Sequence, residues 1–443
     1  MAPATSSTGR VADGVGVATP LSVGLLWLGI LVLLAVRSWG AVSLPALSAE
    51  DGTKVFAYFF QNRGLSALFL PKGGYTTLVA NAIGFTSVRL PPTWIPYALA
   101  WCPLLLASLA YSLLALPGFR SWIPSDSRRI GICLALAANP VGGSLLVANT
   151  DYSTWNTLWI FFLLSIVPLA TRPVAKAAHV ATLAILTWSH PMTILAAPFY
   201  VVNARSANRE DRLIYVLQLV HLLLHQVYGT DPMLVRVTLA RFSSIPISEL
   251  VMLRGVDAVE IVMRRVFGRT FFGDSVVDSI TNHYPAVLYV LAGAILLEVA
   301  LHWDRAKRVA VPCLYVAAAI TFSSLMSRWG YGVGAIGEKA PYAGRYGYLP
   351  SIAVTTLVVD RLADWALRRE RILKAAVVGA AICWLGIRNT QELSTYEFSR
   401  SENGRIVREC FERLAEAGRT NAHGIVVRCE KVHGDWPFEV VTP

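Results

Sequence analysis

Charge is what this sequence has least of. Only 15% of its 443 residues are Asp, Glu, Lys or Arg, while 55% are hydrophobic, and a surface facing water needs far more charge than that. A clustered His/Cys ligand set, a Walker sequence and a Rossmann fingerprint are all missing, which argues against a soluble-type cofactor or nucleotide site. No nucleic-acid module is recognisable either. The net charge of +11 is spread over short loops between apolar runs instead of being interleaved with stacking aromatics, so it reads as a set of topology signals and no nucleic-acid partner is expected. Cysteine is scarce in the polar segments: Cys102, Cys133, Cys313 and Cys383 lie inside apolar runs, which leaves Cys410 and Cys429 in the tail.

What the sequence has in plenty is long apolar runs, with a mean hydropathy of +0.51. A spanning helix needs roughly 20 mostly apolar residues. Such runs are Leu21 to Val36, Trp94 to Leu116, Ile130 to Ala148, Trp155 to Ala170, Ala178 to Val202, Leu213 to Tyr228, Ala286 to His302, Val309 to Met326, Tyr346 to Leu362 and Ala375 to Ile387. The leader before the first run has one Arg (Arg10) and lacks a convincing cleavage site, so that run is expected to be retained. The expected fold is all-α, a polytopic transmembrane bundle of about ten or eleven spans in the plasma membrane, with amphipathic interfacial helices in its outer loops.

The count turns on Ala178 to Val202, where Ser189-His190-Pro191 interrupts the run and proline disfavours a continuous helix. Two short segments folded as a hairpin put the loops holding Arg120/Arg128/Arg129, Arg172/Lys176, Arg205/Arg209/Arg212, Arg305/Lys307/Arg308 and Arg361/Arg368 on one side, as the positive-inside rule requires. That choice places 37–93, 149–154, 231–284, 327–345 and the tail outside the cytoplasm. The chain then divides into a membrane module, 1–390, and a short extracytoplasmic tail, 391–443. An oxidising compartment favours a Cys410–Cys429 bridge over two free thiols.

Several outer-loop residues carry chemistry. Glu50 and Asp51 follow the first span closely, and a carboxylate fixed there suits a general base, although Ser48 to Asp51 also has the spacing of a helix-capping box. Val55, Phe56, Phe59 and Phe60 share one helical face and read as an interfacial helix; Val256, Val259, Met263, Val266 and Phe267 read as a second. Lys72 and Tyr75 stand in a glycine-rich turn. Asp151 sits in a turn where Asx geometry is the plain alternative, and His190 at the broken run is a binding group or a structural histidine. Arg345 beside Tyr346, at the mouth of a span, suits bidentate contact with a phosphate; the plain alternative is an interfacial anchor, with Tyr346 and Tyr348 as belt aromatics.

The pieces Glu50-Asp51-Gly52, Pro71-Lys72-Gly73-Gly74-Tyr75, Asn149-Thr150-Asp151-Tyr152-Ser153-Thr154-Trp155, His190-Pro191 and Gly344-Arg345-Tyr346, in this order over residues 20 to 390, resemble the GT-C superfamily of membrane glycosyltransferases. The resemblance implies a transferase that takes sugar from a polyprenyl-phosphate donor on the outer face. Asp51 would be the base, with Glu50 as helper or competitor. Arg345, with Tyr346 and Lys72, would bind the lipid phosphate, while Tyr75, Asp151 and His190 would line the substrate site. A glycan, lipid or protein acceptor would attack the anomeric carbon with inversion. Some members use a divalent metal such as Mg or Mn and others none, and the sequence leaves that open. The short tail departs from members with large carbohydrate-binding domains. Two rival readings are a transporter or flippase of a lipid-linked glycan, which needs buried ionisable groups along a path through the spans, and a non-catalytic membrane scaffold.

Overall fold

A computed structural model describes residues 20–45, 47, 51–69, 71, 75–139, 147–230, 262–268, 270, 280, 283–328, 344–368, 404–417, 419–420, 426–429 and 438–441. These residues are overwhelmingly helical. The helices are α1 (Pro20–Arg37), α2 (Trp39–Ser43), α3 (Tyr58–Gln61), α4 (Leu78–Ser87), α5 (Ile95–Ser112), α6 (Asp126–Ala138), α7 (Ser153–Ile166), α8 (Pro173–Thr187), α9 (Ala197–Ser206), α10 (Arg209–Tyr228), α11 (Pro285–Leu301), α12 (Trp303–Arg328), α13 (Gly344–Arg368) and α14 (404–417). A wide-turned π-helical segment, Asp51–Ala57, leads into α3, and a second such segment covers Val262–Gly268. β1 (Val426–Cys429) and β2 (Phe438–Val441) form an antiparallel pair with Val427 opposite Val440.

Local chemistry marks the helix starts. Proline opens α8 and α11, where its missing N–H costs nothing. The Asn208 side chain caps α10 by accepting from the Asp211 amide at 2.9 Å.

Two helical stretches, Pro92–Ala115 and Trp303–Ser324, are long and apolar enough to cross a membrane, and five more apolar helices have 10–17 residues. This is fewer full-length spans than the ten or eleven expected, for identifiable reasons. The Ile130–Ala148 run stops being helical at Ala138, where Asn139 turns its amide to Thr355 Oγ1 at 2.6 Å. α10 opens on four consecutive charged residues, Arg209 to Arg212, and α13 carries Asp360, Arg361 and Asp364 within its helical length.

The Ala178–Val202 run is broken as a hairpin. His179, early in α8, contacts the Leu164 carbonyl at the C-terminal end of α7, and Asn203, late in α9, donates to the Ser165 carbonyl at 3.0 Å. His190, between the two helices, lies against Trp155 at the other end of α7. The chain therefore climbs α7 on α8, turns at Ser189-His190-Pro191 and descends on α9.

The bundle's ends differ in chemistry. At one, Arg128 bonds Asp364 and approaches Asp360 at 3.4 Å, Arg361 holds Asp360 at 2.5 Å, and Arg129, fully buried, bonds Asp126. Lys176 pairs with Asp211 at 2.6 Å across the α7–α8 and α9–α10 turns. The principal core, holding Trp159, Phe161, Phe162, Tyr200 and Tyr111, fills the middle. Outside it, α1, α10 and α11 leave Leu21, Leu25, Leu217, Leu223, Val290 and Leu297 exposed.

The expected interfacial helices are packed inside the protein. Val55, Phe56, Phe59 and Phe60 are buried against Phe85, Val407, Phe411 and Leu414, because α14 covers the apolar face that a membrane surface would otherwise receive. Each such phenyl ring contributes roughly 2 kcal/mol on burial. Val266 and Phe267 likewise pack on Ala292 and Val354; Val256 and Val259 lie outside the described residues. The tail is thus partly a folded cap, α14 plus the strand pair, in which Cys410 and Cys429 are bridged. With 19 residues of separation, such a bridge contributes about 3 kcal/mol by restricting the unfolded chain.

Candidate functional site

Asp51 begins the π-helical segment and is 3% exposed. Its carboxylate accepts the main-chain amide of Asp151 at 2.9 Å and that of Thr150 at 3.3 Å. The receiving turn is itself tightly built: the Asn149 side chain accepts from the Tyr152 amide at 2.9 Å, and the Thr150 hydroxyl donates to the Leu99 carbonyl at 2.7 Å. Two segments a hundred residues apart thereby become one structure. The two amides meet the two oxygens separately and so fix the plane of the carboxylate.

One helical turn on, Trp155 places its ring 4.9 Å from that of His190, and the Tyr75 ring lies 5.6 Å from His190 on another side. His190 is 3% exposed and accepts the Met192 amide through Nδ1 at 3.1 Å, which makes Nε2 the protonated nitrogen of the neutral ring. Burial, seconded by nearby His225, pushes its pKa down to about 3, so the ring is neutral at physiological pH. The loop bearing Tyr75 is anchored on both flanks. Tyr75 bridges to Thr230, the Thr76 amide donates to the Gly229 carbonyl at 2.8 Å, and the Leu78 amide to the Trp188 carbonyl at 2.9 Å.

Beneath this aromatic wall is a polar cluster that the sequence reading missed. The Tyr348 hydroxyl donates to Asn156 Oδ1 at 2.6 Å and meets the Tyr111 hydroxyl at 2.5 Å. The buried Arg37 guanidinium, near both hydroxyls, donates to the Ala137 carbonyl at 3.1 Å. Tyr348 is fully buried, and so is no belt aromatic: three elements converge on its hydroxyl. Asn156 inside an apolar run was the one visible sign of this cluster.

Of the residues singled out from sequence, the structure gathers Asp51, Asp151, Tyr75 and His190 at one end of the bundle. Tyr348, one turn into α13, reaches Asn156 in the first turn of α7, so the backbone of Arg345 and Tyr346 opens α13 at that end too; the side chains of Arg345 and Tyr346 lie outside the described residues, as do Glu50 and Lys72. Among the described residues no group of three or more His, Cys, Asp and Glu side chains is placed to hold a metal ion.

Close packing sets where Asp51 stands. A Cβ on Gly84 of α4 would collide with Val55 and Phe59, so the Asp51 helix lies directly on that glycine.

No family model matches the chain, and no curated protein or solved structure is detectably similar to it.

Proposed function

We propose that this protein is a multi-pass membrane glycosyltransferase of GT-C type, moving a sugar from a polyprenyl-phosphate donor to an acceptor hydroxyl at the extracytoplasmic face. The observation that carries the proposal is the Asp51 carboxylate, buried yet aimed by two main-chain amides, near the packed rings of Tyr75, Trp155 and His190. Of these, Tyr75 is only partly buried and is the ring that can offer a sugar an apolar face. The membrane setting draws on the exposed leucines and valines of α1, α10 and α11, since apolar faces of that extent are rare on proteins surrounded by water. The sidedness draws on the salt-bridged basic end lying opposite the site, and on the bridged cysteines lying beside it.

In this reading Asp51 accepts the proton of the acceptor hydroxyl as its oxygen forms a bond to the anomeric carbon, and the bond from that carbon to the lipid phosphate oxygen breaks with inversion. The departing phosphate is stabilised by Arg345 at the start of α13, with Tyr346 and Lys72 assisting. Asp151 fixes the base through its amide, and His190, neutral, holds Tyr75 and Trp155 apart. Glu50 is the neighbouring carboxylate available to share the base role. A divalent metal is neither required nor excluded by these roles.

The rival transporter reading draws on two histidines, buried His225 and half-buried His221. His221 and His225 share one face of α10 beside Trp188, one turn apart at the site end instead of strung along a path through the bundle. The test is transfer from a panel of synthetic polyprenyl-phosphate sugars by purified protein, with Asp51→Asn as comparison. Transfer by the wild type and none by a folded variant supports the proposal, whereas equal turnover by both excludes Asp51 as base.

A further inference from the structure

The C-terminal cap touches the Asp51 segment at two places and the chain before it at a third. The Phe411 ring of α14 packs 4.7 Å from the Phe56 ring, about one turn of π-helix beyond Asp51. Gly404, the first residue of α14, abuts the end of α2, where a Cβ would collide with the Leu44 carbonyl oxygen. The β2 strand runs alongside Asp51–Ala57. Cys410 and Cys429, both buried in the same apolar cluster as Phe56 and Phe59, fasten α14 to β1.

A seven-residue π-helical segment is an uncommon conformation that depends on its surroundings for support, and here α4 supplies one wall and the cap the other. Phe56 and Phe411 are both almost wholly inaccessible to solvent. Removing the Phe411 ring opens space against Phe56, so the segment loses one wall and can relax away from the amides that aim Asp51.

We propose that the disulfide-fastened cap is the positioning device of the Asp51 carboxylate, with Phe411 as its principal positioning residue. The structural half of this proposal stands on packing alone; its consequence for turnover rests on the reading of Asp51 as the base.

Hydrogen exchange of the full-length protein in detergent tests it directly, because the Thr150 and Asp151 amides donate to Asp51 and report whether that carboxylate is in place. Phe411→Ala is expected to speed exchange at these two amides and at 55–61 by about tenfold or more, while α12 and α13 keep wild-type protection. Phe411→Leu restores most of the protection, and the double variant Cys410→Ala/Cys429→Ala falls between the two. Unchanged exchange at Thr150 and Asp151 while α14 itself exchanges freely overturns the proposal. So does acceleration spread equally over α12 and α13, which would make the cap a general stabiliser. In the transfer assay Phe411→Ala lowers kcat by about tenfold with the donor KM unchanged. If the wild type transfers no sugar but the exchange pattern appears, the glycosyltransferase reading alone fails. If transfer depends on Asp51 but exchange and kcat ignore Phe411, only the positioning proposal fails.

Discussion

The two ends of the bundle solve the problem of a buried carboxylate in opposite ways. At the basic end Asp360 is gripped by the guanidinium groups of Arg128 and Arg361, and Asp126 by Arg129 and Arg120. Each of these carboxylates meets at least two guanidinium groups, and the side chains interlock α6 and α13. At the site end Asp51 is oriented by main-chain amides from a turn between two helices. Those two amides fix the direction of the carboxylate and tie the Asp51 segment to the 150–151 turn. The first arrangement joins side chain to side chain, the second side chain to main chain.

This contrast predicts different penalties. Asp51→Asn retains the size of the side chain but keeps only one of the two amide bonds through its single oxygen, its NH2 facing the other N–H; it is expected to cost about 1 kcal/mol of stability while turnover falls by about a thousandfold, in the range for loss of a general base. Asp360→Asn is expected to do the reverse, costing about 3 kcal/mol because the Arg128 and Arg361 guanidinium groups are left to share Asp364. A thermal-unfolding measurement in detergent should show the drop, with per-molecule activity preserved at low temperature. If Asp360→Asn cost no more stability than Asp51→Asn, the clamp description of the basic end would be wrong.

The bridge at the site end ranks next. Mass spectrometry of an unreduced digest should find the peptides of Cys410 and Cys429 joined, and reduction is expected to lower stability by about 3 kcal/mol, confined to the cap. Two separate alkylated thiols in protein taken directly from membranes would refute it.

The smallest effect concerns pH. His190 has a pKa of about 3 in the folded protein against roughly 6.5 in an unfolded chain. Between those values the unfolded chain binds the extra proton, so stability rises with pH across the window and is fully present above it. As pH falls from 6.5 the loss approaches roughly 1 kcal/mol per pH unit. His190→Gln should flatten that slope in unfolding measured between pH 6.5 and 4.5; an unaltered slope would show that His190 is readily protonated in place.

How much of this was legible depended on the kind of interaction. The elbow at Ser189-His190-Pro191 was readable because proline acts locally, and the grouping of basic loops because charge asymmetry survives without coordinates. The Asp51 contact was not, since its donors are main-chain amides at Thr150 and Asp151, and an amide leaves no residue type to recognise. The cap was misread for a different reason. Val407, Phe411 and Leu414 make a helical stripe as plain as that of Val55, Phe56 and Phe59, but each stripe taken alone has an apolar face and no visible partner. A membrane surface was assigned where the partner is the other stripe, some 350 residues away in sequence. The Tyr111–Tyr348–Asn156 cluster eluded the reading because its members lie in three separate apolar runs.

Gly84 carries a consequence for the history of such a chain. With no side chain at that point, the side chains of Val55 and Phe59 settle onto the α4 backbone and occupy the space a methyl group would need. Drift at position 84 is therefore tied to drift at 55 and 59: alanine becomes tolerable only after one of those neighbours has shrunk. Descendants of a common ancestor should show these three sites changing in concert, a correlated signature that marks out the seat of Asp51 even where the carboxylate itself never varies.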